Sequence, residues 1–318
     1  MYQDEGAGKL KEDLMEKYEE ISVEDFFKGD ELKTRYGPCY NIKSHNKLKI
    51  NNINRNKAKK EILSDLKLIR GVGESREKIL REQGYETIHD LAEHPRFCDE
   101  ASKLLEIINS QDCSGISNWI NRRYPKSHPL MLCSSGFRDI ENFIFMDIET
   151  LGLKEVPLIL IGVGELKDED LEVNQYLLRN LHEENAALEA FLTHLNDESV
   201  YVTFNGQTFD VPYIKDRMIY YGIKENIRKP HLDLMHFSRR AWGDRLPNCK
   251  LQTLETHLLG MEREGDVPSS QVPDFYKTYM KTGNIGPLVP IVEHNREDVV
   301  TLALLLSKLQ EEFGFDEG

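Results

Sequence analysis

Phe143-Ile144-Phe145-Met146-Asp147-Ile148-Glu149-Thr150 is a run of apolar residues closed by an acid, an apolar residue and a second acid. Side chains alternate along a strand, so Asp147 and Glu149 emerge on one face, roughly 7 Å apart. Two carboxylates at the end of a buried strand repel one another in a low-dielectric setting. The remedies are a shared proton, an Arg or Lys, or a divalent metal ion.

From Asn142 onward the pattern is α/β. Leu158 to Glu165 and Val173 to Leu178 read as strands, Glu183 to Leu195 has helical periodicity through Ala187, Leu188, Phe191 and Leu195, and Ser199 to Phe204 is a further strand. Three strands and then a helix predict an antiparallel meander feeding a mixed sheet. Asn205-Gly206 is a turn dipeptide, which puts Asp210 near the start of the next helix, because Pro212 is acceptable only in a first turn. Read alone, Asp210 is an N-capping residue. Val289 to Phe313 forms a long helix on which His294 and Asp298 lie one turn apart, hence on one face, with Glu293 and Glu297 on the solvated edge beside them.

Asp147-x-Glu149 at a strand end, Asn205-Gly206-x-x-Phe209-Asp210-x-Pro212 at a strand-to-helix turn and His294-x-x-x-Asp298 on a late helix occur in a fixed order. That order resembles the three motifs of the DEDD exonuclease superfamily, over about Asn142 to Phe313. The strings are similar to those of YprB-like domains and of the proofreading domains of B-family DNA polymerases. His231-Leu232-Asp233-Leu234 and Cys249-Lys250-Leu251-Gln252-Thr253-Leu254 also resemble the family between its second and third motifs.

The resemblance implies an RNase H-like mixed sheet flanked by helices. It implies that Asp147, Glu149, Asp210 and Asp298 hold two divalent ions about 3.5 to 4 Å apart, with Asn205, Phe209 and Lys250 at the substrate. Hard oxygen ligands without cysteine point to Mg²⁺ or Mn²⁺. The implied reaction is 3′→5′ hydrolysis of phosphodiester bonds with release of nucleoside monophosphates. One departure stands out. The Tyr-type branch of the family has Tyr-x-x-x-Asp, and in the His-type branch His precedes Asp by five positions; here the spacing is four and the residue is His294. An imidazole, with an ordinary pKa of about 6.5, accepts a proton at neutral pH, whereas a phenol, at about 10, mainly orients water. His294 is therefore expected to join the four acids in the catalytic set, as a candidate general base.

Nearer the N-terminus, Leu66-Lys67-Leu68-Ile69-Arg70-Gly71-Val72-Gly73-Glu74-Ser75-Arg76-Glu77-Lys78-Ile79-Leu80, followed by Gly84 to Leu91, resembles the helix-hairpin-helix module of DNA repair and recombination proteins. Glycines let a backbone approach a phosphate, and the free amides and positive end of a helix receive it. Gly71, Gly73 and Arg76 are the candidate contacts, indifferent to base sequence. That family usually carries two hairpins, and the second, around Phe97 to Ile108, has no Gly-x-Gly. The plain alternative is a tight helix–helix turn with no ligand.

Local charge bears on this reading. Residues 41–82 hold 12 bases against five acids, which suits a phosphate backbone or, equally, a solvated helical face. Residues 1–32 hold 11 acids against four lysines and read as a helical lead in which Leu10, Leu14 and Tyr18 recur at spacing four. Tyr36-Gly37-Pro38-Cys39-Tyr40 is a turn. Residues 110–141, with Ser110, Gly115, Pro125, Pro129 and Gly136 among polar neighbours, have the composition of a connection, which Trp119, Leu130 and Met131 could pack onto either neighbour. The expected organisation is an acidic then basic segment 1–60, a small helical helix-hairpin-helix domain 61–110, a linker 111–141 and an RNase H-like exonuclease domain 142–318.

The 318 residues, 39% hydrophobic, suffice for two domains. The longest apolar stretch, Val156 to Val163, has strand length and contains Pro157 and Gly162, so a cytoplasmic protein without membrane attachment is expected. Five widely spaced cysteines, never in a Cys-x-x-Cys pair, predict free thiols, with neither a disulfide framework nor a zinc site. A net charge of -14 is unusual for a nucleic-acid protein, but some of those acids would hold metal. The expected function is a metal-dependent 3′→5′ exonuclease behind a module that grips the substrate backbone. Single-stranded DNA is the first choice of substrate and RNA stays open, since neither motif reads the 2′-hydroxyl. Arg239, Arg240 and Arg245 join Lys250 as candidate phosphate contacts. The rivals are an RNase H-type endonuclease and a catalytically silent nucleic-acid-binding protein; the latter has no electrostatic reason to keep four carboxylates together.

Overall fold

The computed structural model describes residues 2–48, 50, 53–167, 170–263 and 267–315, without the side chains of 2–7. Lys49 of the basic segment and the last three residues of the 142–318 unit lie outside the described residues. In chain order, α1 (Tyr2–Lys17) and α2 (Val23–Phe27) precede a hairpin of β1 (Asp30–Thr34) and β2 (Gly37–Lys47). Six helices follow: α3 (Arg55–Ser64), α4 (Glu74–Glu82), α5 (Ile88–Leu91), α6 (Cys98–Asn109), α7 (Cys113–Asn121) and α8 (Pro129–Ser135). Then come β3 (Phe143–Thr150), β4 (Leu158–Lys167), β5 (Asp170–Leu177), α9 (Glu184–Leu192), β6 (Val200–Thr203), α10 (Asp210–Tyr220), β7 (His231–Asp233), α11 (Leu234–Trp242), α12 (Leu251–Leu254), α13 (Val272–Thr282) and α14 (Val289–Glu312).

One mixed sheet has the order β1-β2-β5-β4-β3-β6-β7. The meander β3-β4-β5 is antiparallel, as its sequence predicts, and β6 and β7 run parallel to β3 after crossovers through α9 and α10. The two-residue period of β3 sorts its side chains between two cores. Phe143 and Phe145 pack with Val299, Leu302 and Leu306 of α14, while Ile144, Met146 and Ile148 pack with Leu188, Phe191 and Ile214 of α9 and α10. Asp147 and Glu149 continue the first set, so alternation aims both at the face covered by α14, the helix that carries His294 and Asp298.

The structure departs from the sequence reading in two segments. Residues 30–47, read as a turn within polar chain, are a hairpin whose second strand pairs along the whole of β5, from Tyr40↔Leu177 to Lys47↔Asp170. Residues 111–141, read as a connection, fold into α7 and α8, with Ile116, Trp119, Ile120 and Leu130 to Cys133 buried. Trp119 Nε1 donates to the carbonyl of Leu68 at 3.1 Å, and one apolar core runs from Ile53 through these helices to Phe143 and α14. All five cysteines are free, Cys39, Cys113 and Cys133 buried. Among the described residues no helix is long and apolar enough to cross a membrane.

Candidate active site

Asp147 and Glu149 stand on β3 opposite Gly162 and Leu160 of β4, and the pairing slips between Glu149 and Thr150. Asp210 is the first residue of α10, with Phe209 in the cap position. Its Oδ1 accepts the Ile148 backbone N–H at 3.2 Å, so Asp210 reaches across to β3 and does not cap its own helix. The loop that presents it is braced from β7: the Asp233 carboxylate accepts the N–H groups of Asn205 (2.8 Å) and Gln207 (3.1 Å) while also capping α11. Asn205 sits in the left-handed region at φ 70°, which suits a short polar side chain.

From α14, His294 Nε2 lies 3.9 Å from Glu149 Oε1 and 3.7 Å from Asp298 Oδ2. Asp147, Glu149, Asp210, His294 and Asp298 all line one cavity of about 640 Å³, together with Asn205, Phe209 and the exposed Leu153. Burial, then the charges of Asp298, Asp210 and Glu149, push the Asp147 carboxyl well above its ordinary range. Burial raises Asp210 to about 7, against the pull of backbone N–H groups. Burial also raises Asp298, opposed by His294 and Arg263. The carboxyls thus resist ionising together. Among the described residues no three such side chains are drawn tightly enough to enclose a metal ion. The donor set, four carboxylates with no thiolate, is nevertheless of the kind that hard divalent cations take.

Two supports of this cavity carry no sequence signal. Asn295, fully buried beside His294, donates from Nδ2 to Asp147 Oδ2 at 2.9 Å and to the Asp147 carbonyl at 3.1 Å. Gln175 on β5 fixes it in turn, donating to Asn295 Oδ1 at 2.9 Å and to the Val292 carbonyl at 2.8 Å. Space for the amide exists because residue 162 is glycine: a Cβ there would lie 2.9 Å from Asn295 Cγ. The other support is Arg263, its side chain 6% exposed, just beyond a π-helical turn at Glu255–Leu259. Its guanidinium pairs with Glu255 and with Asp298, and Nη1 stands 3.1 Å from His294 Nδ1. Glu255 is itself buried and accepts the Thr301 hydroxyl at 2.5 Å. A guanidinium can only donate, so Nδ1 accepts and the ring proton sits on Nε2, facing Glu149 and Asp298.

Other candidates lie outside the cavity. Lys250 is exposed just before α12. Arg245 is held by Glu312 and the Ala241 carbonyl, and Arg240 Nε donates to Ser127 Oγ at 3.3 Å; Arg239 is exposed beside it on α11. Gly71 (φ 88°) makes the turn into α4, Gly73 is that helix's N-cap, and Arg76 folds back onto the Gly71 carbonyl. A separate pocket of about 390 Å³ beside this turn is lined by Lys67, Arg70, Arg122 and Arg123 among others, with Glu100 opposing them.

An uncharacterized protein of Bacillus subtilis, YprB, is 30% identical over 211 residues, which cover 64% of this chain and 47% of that protein. A DNA polymerase of Methanocaldococcus jannaschii is 23% identical over 297 residues, 79% of this chain and 18% of the polymerase. The chain thus spans about half the length of the first relative and a smaller share of the second. The RNase H superfamily matches residues 144–310, from β3 to the last turn of α14. The chain belongs to the RNase H superfamily, and the matched stretch holds all four carboxylates and His294.

Proposed function

We propose that the chain is a metal-dependent 3′→5′ exonuclease that hydrolyses single-stranded nucleic acid, DNA before RNA. The observation that carries this reading is the convergence of Asp147, Glu149, Asp210 and Asp298 on one cavity, where burial and mutual repulsion hold three of the carboxyls above their ordinary range. Nucleases of this superfamily generally use divalent metals. Mg²⁺ or Mn²⁺ held by Asp147, Glu149, Asp210 and Asp298 would supply the missing charge, a nucleophile at neutral pH and a clamp on the departing oxygen. The likeness to a DNA polymerase supports a nucleic-acid substrate.

The chain's own side chains supply position. Asn295 holds Asp147, and the Ile148 N–H holds Asp210. His294 presents an Nε2–H, so we assign it an orienting role, equivalent to the hydroxyl of a Tyr-x-x-x-Asp frame, in place of the general base that its ordinary pKa suggests. Phe209 and Leu153, which both line the cavity, offer apolar surface for a terminal base. The Gly71–Gly73 turn, with α4 behind it and basic side chains around it, serves as the backbone grip.

The test is digestion of end-labelled single-stranded and duplex DNA and RNA with Mg²⁺, Mn²⁺ or EDTA. Stepwise release of mononucleotides from a free 3′ end, abolished by EDTA and by a blocked 3′ end, is expected. Internal cuts in a 3′-blocked strand, or no hydrolysis with either metal, would overturn the reading.

A further inference from the structure

Three cavities adjoin one another around α10. The one that holds the acids shares Leu153 and Phe209 with a second, of about 790 Å³, beside α10. The second shares Pro212 and Asp216 with a third, of about 780 Å³. Their linings differ in kind. The second displays Ile219 and Tyr220, 64% and 71% exposed, among the few large apolar side chains left in solvent. The Arg217 guanidinium sits 4.5 Å from the Tyr220 ring centroid, and Tyr221 meets that ring edge-on, so the ring is fixed although it stands in water. The third is lined by Lys126, Lys215, Arg228 and Lys229 against Asp216 and Glu225, a local excess of positive charge in a chain of net charge -14. Lys126 closes one end by donating to Gln207 at 2.9 Å, and it follows Arg122 and Arg123, which line the pocket at the Gly71 turn.

We infer that this groove is a binding track for a single nucleic-acid strand, running from the acidic cavity past Tyr220 and over Lys215, Arg228 and Lys126 towards the Gly71 turn. An exposed, rigid aromatic followed by spaced cations is what a strand requires, because every base has a face to stack and every linkage a charge to neutralise. The acids of the first cavity repel phosphate without a counter-cation, whereas the third, with four cations against Asp216 and Glu225, attracts it. The proposal rests on the nuclease reading for its purpose, yet it can be tested without hydrolysis.

Fluorescence anisotropy with labelled oligo-dT and oligo-U, about 4 and about 16 nucleotides long, measures binding by the full chain in EDTA. The parent should prefer the longer strand. In Lys126→Ala/Lys215→Ala/Arg228→Ala, all at exposed positions, that preference should disappear. With a slope of roughly 0.7 per single-strand contact, the variant's log–log salt dependence should fall by about 2, a roughly 20-fold smaller loss of affinity between about 50 and about 200 mM salt. Tyr220→Ala should weaken binding with the salt slope unchanged. An unaltered slope and length preference in the triple variant overturns the track while leaving the nuclease reading intact. Binding that depends on the groove without hydrolysis of any strand sinks the nuclease reading and leaves the track. Displacement of the oligonucleotide by polyglutamate as readily as by unlabelled strand would assign the groove to an acidic protein and overturn the proposal.

Discussion

Arg263→Gln removes a charge on which three other groups depend. The guanidinium is 6% exposed and pairs with both oxygens of Glu255, which is 1% exposed, and with Asp298. Glutamine would leave the Glu255 carboxylate buried with the Thr301 hydroxyl as its remaining strong partner. Deleting one member of a buried ion pair costs about 3 to 5 kcal/mol, mostly the penalty of the orphaned charge. Asp298 is partly solvated, so its share is small, and we expect the loss to fall at about 3 kcal/mol. Glu255→Gln added to Arg263→Gln leaves no orphan at that position, and the cycle should return a coupling of about 2 kcal/mol or more. Urea unfolding in EDTA, followed by tryptophan fluorescence, measures all four proteins. With Mn²⁺ added, Arg263→Gln should also lose about 10- to 100-fold in kcat, as loss of the group that orients a site residue commonly does. A single variant that unfolds at the parent's urea concentration, or a coupling below about 0.5 kcal/mol, would refute the ion pair and, with it, the tautomer assigned to His294.

Gly162→Ala should disable hydrolysis from outside the cavity: its Cβ would press on Asn295, costing about 1 to 3 kcal/mol and releasing Asp147, so wild-type kinetics would dismiss that bridge. If His294 works as an N–H donor, His294→Tyr should keep most of the activity that His294→Ala loses, in side-by-side single-turnover rates; equal losses would favour a base. Without metal the protein should lose stability as pH rises from about 4 to about 7. Asp210 moves from its ordinary 3.8 to about 7 on folding, so the folded state binds the extra proton, a contribution of at most ~4 kcal/mol that is complete below pH 4 and gone above pH 7. Asp210→Asn should flatten that slope in melts recorded in EDTA. Asp147→Asn should raise the metal-free melting temperature at pH 8 while abolishing hydrolysis, because it removes a carboxyl that burial and three acids already disfavour as the anion.

What could be read from the sequence was local. The apolar lead of β3 and the two-residue period fixed the side of the sheet to which Asp147 and Glu149 point, and the four-residue spacing put His294 and Asp298 on one helical face. Asp210 was placed near its helix start by Pro212, but its partner, the Ile148 N–H, is 62 positions away and no pattern announces it. Gln175, Gly162 and Asn295 meet only because β4 and β5 bring them under α14. Arg263 lies in irregular chain among acids, where it reads as a surface charge. Helices α7 and α8 were hidden by Ser, Asn and Gly among their buried residues, and β1, Asp-Glu-Leu-Lys-Thr, has none of the apolar alternation that marks a strand.

That inconspicuous β1 decides where the chain can be cut. The superfamily match begins at residue 144, after the sheet's outer two strands have already been supplied by residues 30–47. A chain trimmed to the match would bare the flank of β5, whose eight residues are buried at seven positions, and its open amides and carbonyls would template strand addition between molecules. In the intact chain the outermost strand is five residues long and carries Asp30, Glu31 and Lys33, a short charged border that neighbouring sheets cannot readily extend. The hairpin of residues 30–47 thus guards against aggregation a domain whose superfamily match does not include it.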